Sequence, residues 1–138
     1  DEFTKVDHDY TVKLAKICRE QGVEHFTLCS SSMANENSRI FYLKIKGKVE
    51  NEIKSMQFPR YSIFRPGMLT CKRQESRPLE SIANSMLKII SPVLPWSLSV
   101  PTKSVAKAMV INACRKPSEV PIVEHISHKL IINLAKEY

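Results

Sequence analysis

The sequence predicts an α/β layer built on a mostly parallel sheet. Two observations predict it. Segments with apolar residues at steps of three and four alternate with short, continuous apolar runs. The runs are rich in strand formers and stop at serine, proline or glycine, as strands buried on both faces do. A chain of 138 residues fits a single domain. Three strands are too few for a complete doubly wound domain, and no internal repeat is visible.

In chain order, Tyr10, Leu14, Ile17 and Cys18 fall at helical spacing from Asp9 onward, with Asp7 or Asp9 as the cap and Gly22 as the terminator. His25–Cys29 is a run of strand formers ending at Ser30-Ser31-Ser32, and Met33–Arg39 reads as polar loop. Ile40–Met56 predicts a second helix whose inward stripe is Tyr42, Lys46, Val49, Ile53 and Met56. Pro59 ends it, and Tyr61–Phe64 is the next strand, closed by Arg65-Pro66-Gly67. Leu69–Pro78 reads as charged and irregular, followed by a helix from Leu79 to about Ile90 and a proline-punctuated loop. Thr102 or Ser104 caps a helix through Cys114, Val120–Val123 is a short strand, and Ser127 caps the last helix to Lys136.

Composition narrows the chemistry. Gly22, Gly47 and Gly67 lie too far apart to build a glycine-rich phosphate loop. Cys18, Cys29, Cys71 and Cys114 form no C-x-x-C pair, so zinc and thioredoxin-like sites are not expected; reduced thiols in a cytoplasmic chain are. No apolar run approaches the roughly eighteen residues that cross a bilayer. The opening Asp1-Glu2-Phe3 has neither an initiator Met nor an apolar signal, which reads as a processed or truncated piece. The net charge of +7 favours an anionic partner. Its arginines are scattered rather than gathered into a stripe with interleaved aromatics, so nucleic acid is not expected.

The constellation with chemical content is Tyr42-x-x-x-Lys46, two side chains on one helix face a turn apart. A free phenol titrates at about 10, too high for acid–base work at neutral pH, and a neighbouring ammonium lowers that value. Tyr42 then exchanges a proton with a carbonyl or alcohol oxygen. Ser31 follows a strand directly, at the sheet edge where parallel folds place ligands, and its hydroxyl can bond the same oxygen. Arg65-Pro66-Gly67 ends the next strand on that edge and can offer backbone groups to a ring amide. Each feature also has an ordinary structural use: a core tyrosine, a snorkelling lysine, a serine turn and a proline–glycine turn.

Taken in order, strand, serines, Y-x-x-x-K helix, strand and R-P-G resemble the carboxyl-terminal half of the atypical short-chain dehydrogenases/reductases. Phe3–Tyr10, Phe41–Glu50, Arg60–Gly67, Arg73–Pro78 and Ser99-Val-Pro101 look like a tumour-suppressor-type branch of that family. The resemblance implies a single partial NAD(P)-binding, Rossmann-like domain over residues 1–138. It makes Tyr42 the proton donor/acceptor, Lys46 the holder of the nicotinamide ribose and Ser31 the residue that orients a small carbonyl or alcohol substrate. Pro66, Leu69 and Arg77 would complete the NADP(H) contacts. It also implies binding to importin-β-type transport receptors, with consequences for nuclear import and apoptosis.

The family's glycine fingerprint and first strands precede the position equivalent to Asp1, so this chain is expected to hold NADP(H) weakly or not at all. His25–Cys29 would then be a bare sheet edge. The alternative reading is a non-catalytic regulatory protein on a dehydrogenase scaffold, to whose surface the basic Lys72–Arg77 segment could contribute.

Overall fold

A computed structural model describes residues 2–70, 99–116 and 122–136. A helical segment opens it, running as α1 (Glu2–Thr4), a π-helical turn (Lys5–Tyr10) and α2 (Thr11–Glu20). Then follow β1 (His25–Cys29), α3 (Phe41–Ser55), β2 (Arg60–Arg65), β3 (Met68–Thr70), β4 (Ser99–Pro101), α4 (Thr102–Cys114), β5 (Ile122–Ser127) and α5 (His128–Leu134). The expected helix at Leu79–Ile90 lies outside the described residues.

The main sheet is parallel throughout, in the order β1-β2-β5, with His25 opposite Arg60 and Arg60 opposite Ile122. Strand alternation sends Leu28, Tyr61 and Ile63 to one face, where Val12, Ala15, Val49 and Ile53 close the core. Phe64 and Ile126 face the other way and pack with Val105, Ala108, Ile131 and Leu134 from α4 and α5. The result is helices on both faces of a parallel sheet, a partial Rossmann-like α/β layer. Among the described residues β1 pairs with β2 alone.

The strands at 25 and 60 and the second helix fall where periodicity puts them. Tyr42, Lys46, Val49, Ile53 and Met56 all point inward to some degree, while Lys44, Lys48, Asn51, Glu52 and Lys54 are exposed. Gly22, at φ +76°, takes the left-handed position that ends α2. Ser127 caps α5 by accepting from the Leu130 amide at 3.4 Å.

Four expectations need correction. The first helix begins at Glu2 rather than near Asp9, and neither aspartate caps it. Its inward face is Val12 and Ala15, while Tyr10, Leu14 and Ile17 are about half exposed. Thr102 and Ser104 cap nothing: α4 starts directly after Pro101, with Thr102 inside its first turn. The stretch after Gly67 is not wholly irregular, because Met68–Thr70 pairs in parallel with Ser99–Pro101 as a second, two-stranded sheet. That pairing spans a long interval of sequence, so no local pattern announces it.

Candidate active site

The carboxyl ends of β1, β2 and β5 form one edge of the main sheet. The serine loop continues the β1–β2 ladder there: the Ser30 amide donates to the Phe64 carbonyl at 2.7 Å and the Ser32 amide to the Pro66 carbonyl at 2.9 Å. On the other side of Pro66-Gly67, the Gly67 amide donates to His128 Nδ1 at 3.1 Å. The Gly67 N–H is therefore spent on the protein itself, so in this arrangement it does not serve a ring amide.

The loop reaches α3 through a close backbone approach. The Asn35 amide donates to the Leu43 carbonyl at 3.1 Å. A Cβ on Gly47 would collide with the Asn35 and Glu36 backbones, including Asn35 Cα at 2.8 Å. Gly47, one residue beyond Lys46, lets the loop after the serines lie on the helix that carries Tyr42 and Lys46. Sequence reading passed over it, although an isolated glycine inside a helical pattern marks such approaches.

Tyr42 and Lys46 share one face of α3, with Lys46 Nζ 5.7 Å from the centre of the phenol ring. Lys46 is largely buried along its side chain and forms an ion pair with Asp7 Oδ1 at 2.6 Å. Phe3 packs on the Tyr42 ring at a centroid distance of 5.8 Å. Burial is the dominant influence on the phenol and pushes its pKa up; Lys46 pulls it down, while Asp7 and Cys29 push it further up. The expected ammonium effect is present in direction, but desolvation outweighs it and the phenol is raised rather than lowered. Cys29, at the end of β1, is raised by burial of its thiol, with Lys46 opposing.

Among the described residues no hydrogen bond joins Ser31 to Tyr42 or Lys46. Ser31 is half-buried in a turn, its carbonyl accepting from the Ala34 amide at 3.0 Å. Ser30 is the buried one of the three serines, and its hydroxyl has no partner among the described residues. At the far side of the edge, His128 is also buried. Its Nδ1 accepts from the Gly67 amide, and its Nε2 has no partner among the described residues. Pro66 is buried between these two groups, whereas Leu69 is half exposed on β3. Arg77 lies outside the described residues.

Two buried polar groups without a partner among the described residues therefore lie at the carboxyl edge, where parallel sheets bind ligands. Among the described residues, Gly22 ends a helix and Gly47 seats a loop, so neither forms part of a pyrophosphate cradle. His128 drew no notice in the sequence, where its neighbour Ser127 supplied only a capping signal.

A parallel α/β sheet with the serine loop, the Y-x-x-x-K helix and the R-P-G turn at one edge has a layout that resembles that of a short-chain dehydrogenase. No family model matches the chain. Its sequence is similar to Protein HTATIP2 of Rattus norvegicus, with 37% identity over 137 residues, covering 99% of this chain and 56% of that protein. The resemblance of Phe3–Tyr10, Phe41–Glu50 and Arg60–Gly67 to a Tat-interacting oxidoreductase is thereby upheld. Two fungal relatives are Protein FMP52, mitochondrial, of Debaryomyces hansenii, 47% identical over 88 residues (64% of this chain, 38% of that protein), and Protein FMP52-2, mitochondrial, of Scheffersomyces stipitis. The second is 34% identical over 143 residues, covering 99% of this chain and 62% of that protein.

The chain thus spans 56% to 62% of the length of the relatives it matches from end to end. Short-chain-dehydrogenase-like relatives imply a nucleotide cofactor. The cytoplasmic expectation is overturned, because several fungal relatives are named mitochondrial.

Proposed function

We propose that the chain carries the proton-handling part of an NADP-dependent oxidoreductase acting on a small carbonyl or alcohol. The observation that carries this reading is the placement of the Lys46 ammonium 5.7 Å from the Tyr42 ring centre, on the inward face of α3. When bound, the nicotinamide supplies or accepts the hydride. Tyr42 Oη gives a proton to the substrate oxygen, or takes it back. The Lys46 ammonium stabilises the phenolate that remains and holds ribose hydroxyls. A serine hydroxyl orients the substrate oxygen: Ser31, or Ser30, whose buried and unpartnered Oγ favours it. Pro66 and Leu69 flank the nicotinamide end, and Arg77 contributes from beyond the described residues. Mitochondrial location is part of the proposal and rests on the names of the fungal relatives.

NADPH consumption with a panel of aldehydes and ketones, matched to alcohol formed, tests the reading. Tyr42→Phe is expected to lose turnover by about a hundredfold or more while keeping whatever cofactor binding the chain shows. Equal turnover in Tyr42→Phe overturns it. Cofactor binding without turnover in the unsubstituted chain favours the regulatory scaffold instead.

A further inference from the structure

Phe3, Asp7 and His8 each contact α3, two of them at Tyr42 and Lys46 themselves. Phe3 packs on Tyr42 and on Phe41, at centroid distances of 5.8 Å and 6.0 Å. Asp7 Oδ1 accepts from Lys46 Nζ at 2.6 Å. His8 Nε2 meets Glu52 Oε1 at 2.7 Å. Asp7 and His8 lie in the π-helical turn Lys5–Tyr10, whose register differs from that of the α-helical segments flanking it. A π turn within an α-helix re-aims side chains and is used at functional sites more often than chance.

The ion pair is not an ordinary surface contact. The Lys46 and Asp7 side chains are 16% and 28% exposed, so solvent screens them less than a fully exposed pair. Lysine stems are flexible, with several rotatable bonds, and an ammonium near an aromatic ring needs a second anchor to stay there.

We propose that Asp7 is a positioning residue for Tyr42 and Lys46, its carboxylate fixing the ammonium against the phenol ring. Its catalytic consequence rests on the oxidoreductase reading, whereas its hold on Lys46 does not. The groups facing Lys46 are Asp7 from the π turn, Tyr42 from α3 itself and Cys29 from β1. Asp7 is the carboxylate among them and the one paired with the ammonium, so it governs where the ammonium rests.

The test is brief acylation of the folded chain with an amine-specific reagent, with rates read at Lys46, Lys44 and Lys48 by peptide mass spectrometry. Lys46 is expected to react slowest of the three. Asp7→Asn should raise its rate about fivefold relative to Lys44, and Asp7→Glu should restore most of the protection. An unchanged Lys46 rate in a folded Asp7→Asn chain overturns the proposal, as does Asp7→Glu behaving like Asp7→Asn. Should Asp7→Asn not fold, the unsubstituted chain is acylated across a salt series. A gain at Lys46 beyond that at Lys44 and Lys48 supports the proposal, and parallel responses overturn it. Absence of NADPH-linked turnover would remove the oxidoreductase reading without altering these rates, so the two failures are separable.

Discussion

Glu50 and Arg65 join the helix of the Tyr42–Lys46 pair to the strand that ends at the site. The Glu50 carboxylate is almost wholly buried on α3 and accepts two bonds from the Arg65 guanidinium at the end of β2, one of them from Nε at 3.1 Å. The paired carboxylate raises the arginine further above its already high value. This forked contact fixes the height of α3 against the R-P-G turn, and hence Tyr42 against the sheet edge.

Removing one partner of such a pair leaves the other charge poorly solvated. Glu50→Gln should therefore cost about 2–3 kcal/mol, below the full penalty of a buried pair because Arg65 is about a third exposed. Urea denaturation measures it, with an unchanged slope showing that the unfolded state is the same.

Gly47→Ala reverses the usual helix preference. Alanine is the better helix former by about 1 kcal/mol, yet its methyl would strike the Asn35 and Glu36 backbones, which cannot move aside as a side chain can. The substitution is expected to destabilise the chain by about 1–3 kcal/mol and to displace the Asn35 amide from the Leu43 carbonyl. Faster exchange of the Asn35 amide hydrogen would show the displacement.

Along α2 the buried positions are the small ones. Leu14→Lys, on the exposed face, should change stability by no more than about 0.5 kcal/mol, whereas Ala15→Leu, at 0% exposure, should overpack the core by about 1–3 kcal/mol. Paired thermal midpoints decide which stripe faces inward.

How much was legible follows from such cases. Periodicity found β1, β2 and α3 because their apolar patterns are local and strong, and it put Tyr42 and Lys46 on one face before any coordinates. On α2 the same rule chose the stripe of large residues over Val12 and Ala15, since spacing reports a face without saying which way it turns. The β3–β4 pair, the Asp7–Lys46 contact and the Gly67–His128 bond join residues far apart in sequence, so only the folded chain brings them into view. The Tyr42 phenol was misjudged for a related reason: its nearest charge is readable from i, i+4 spacing, and the burial that outweighs it is not.

Acid should loosen the fold through a polar cluster on the α4 side of the sheet. Burial works against the Glu124 carboxylate, but donors on Ser62, Arg60 and Asn112 outweigh it and hold its pKa below the usual value. Burial, reinforced by Arg60, lowers His25, which lies 2.8 Å from Ser62 Oγ. Both groups bind fewer protons in the folded chain than in the unfolded one. Their stabilisation is present above the unfolded values, about 6.5 for histidine and 4.3 for glutamate, and is lost as pH falls from these through the lower values of the folded chain. Glu124→Gln should flatten the acid limb of a stability–pH curve, and an unaltered limb would assign acid sensitivity elsewhere.

The account depends on the Lys46 ammonium acting on the Tyr42 phenol. Its most direct test is an absorbance titration of phenolate formation in the unsubstituted chain and in Lys46→Met, each corrected by subtraction of the corresponding Tyr42→Phe chain. The account predicts that the Tyr42 phenol ionises at higher pH once Lys46 is gone, because burial, Asp7 and Cys29 are then unopposed. A midpoint unmoved, or moved downward, in Lys46→Met would contradict it.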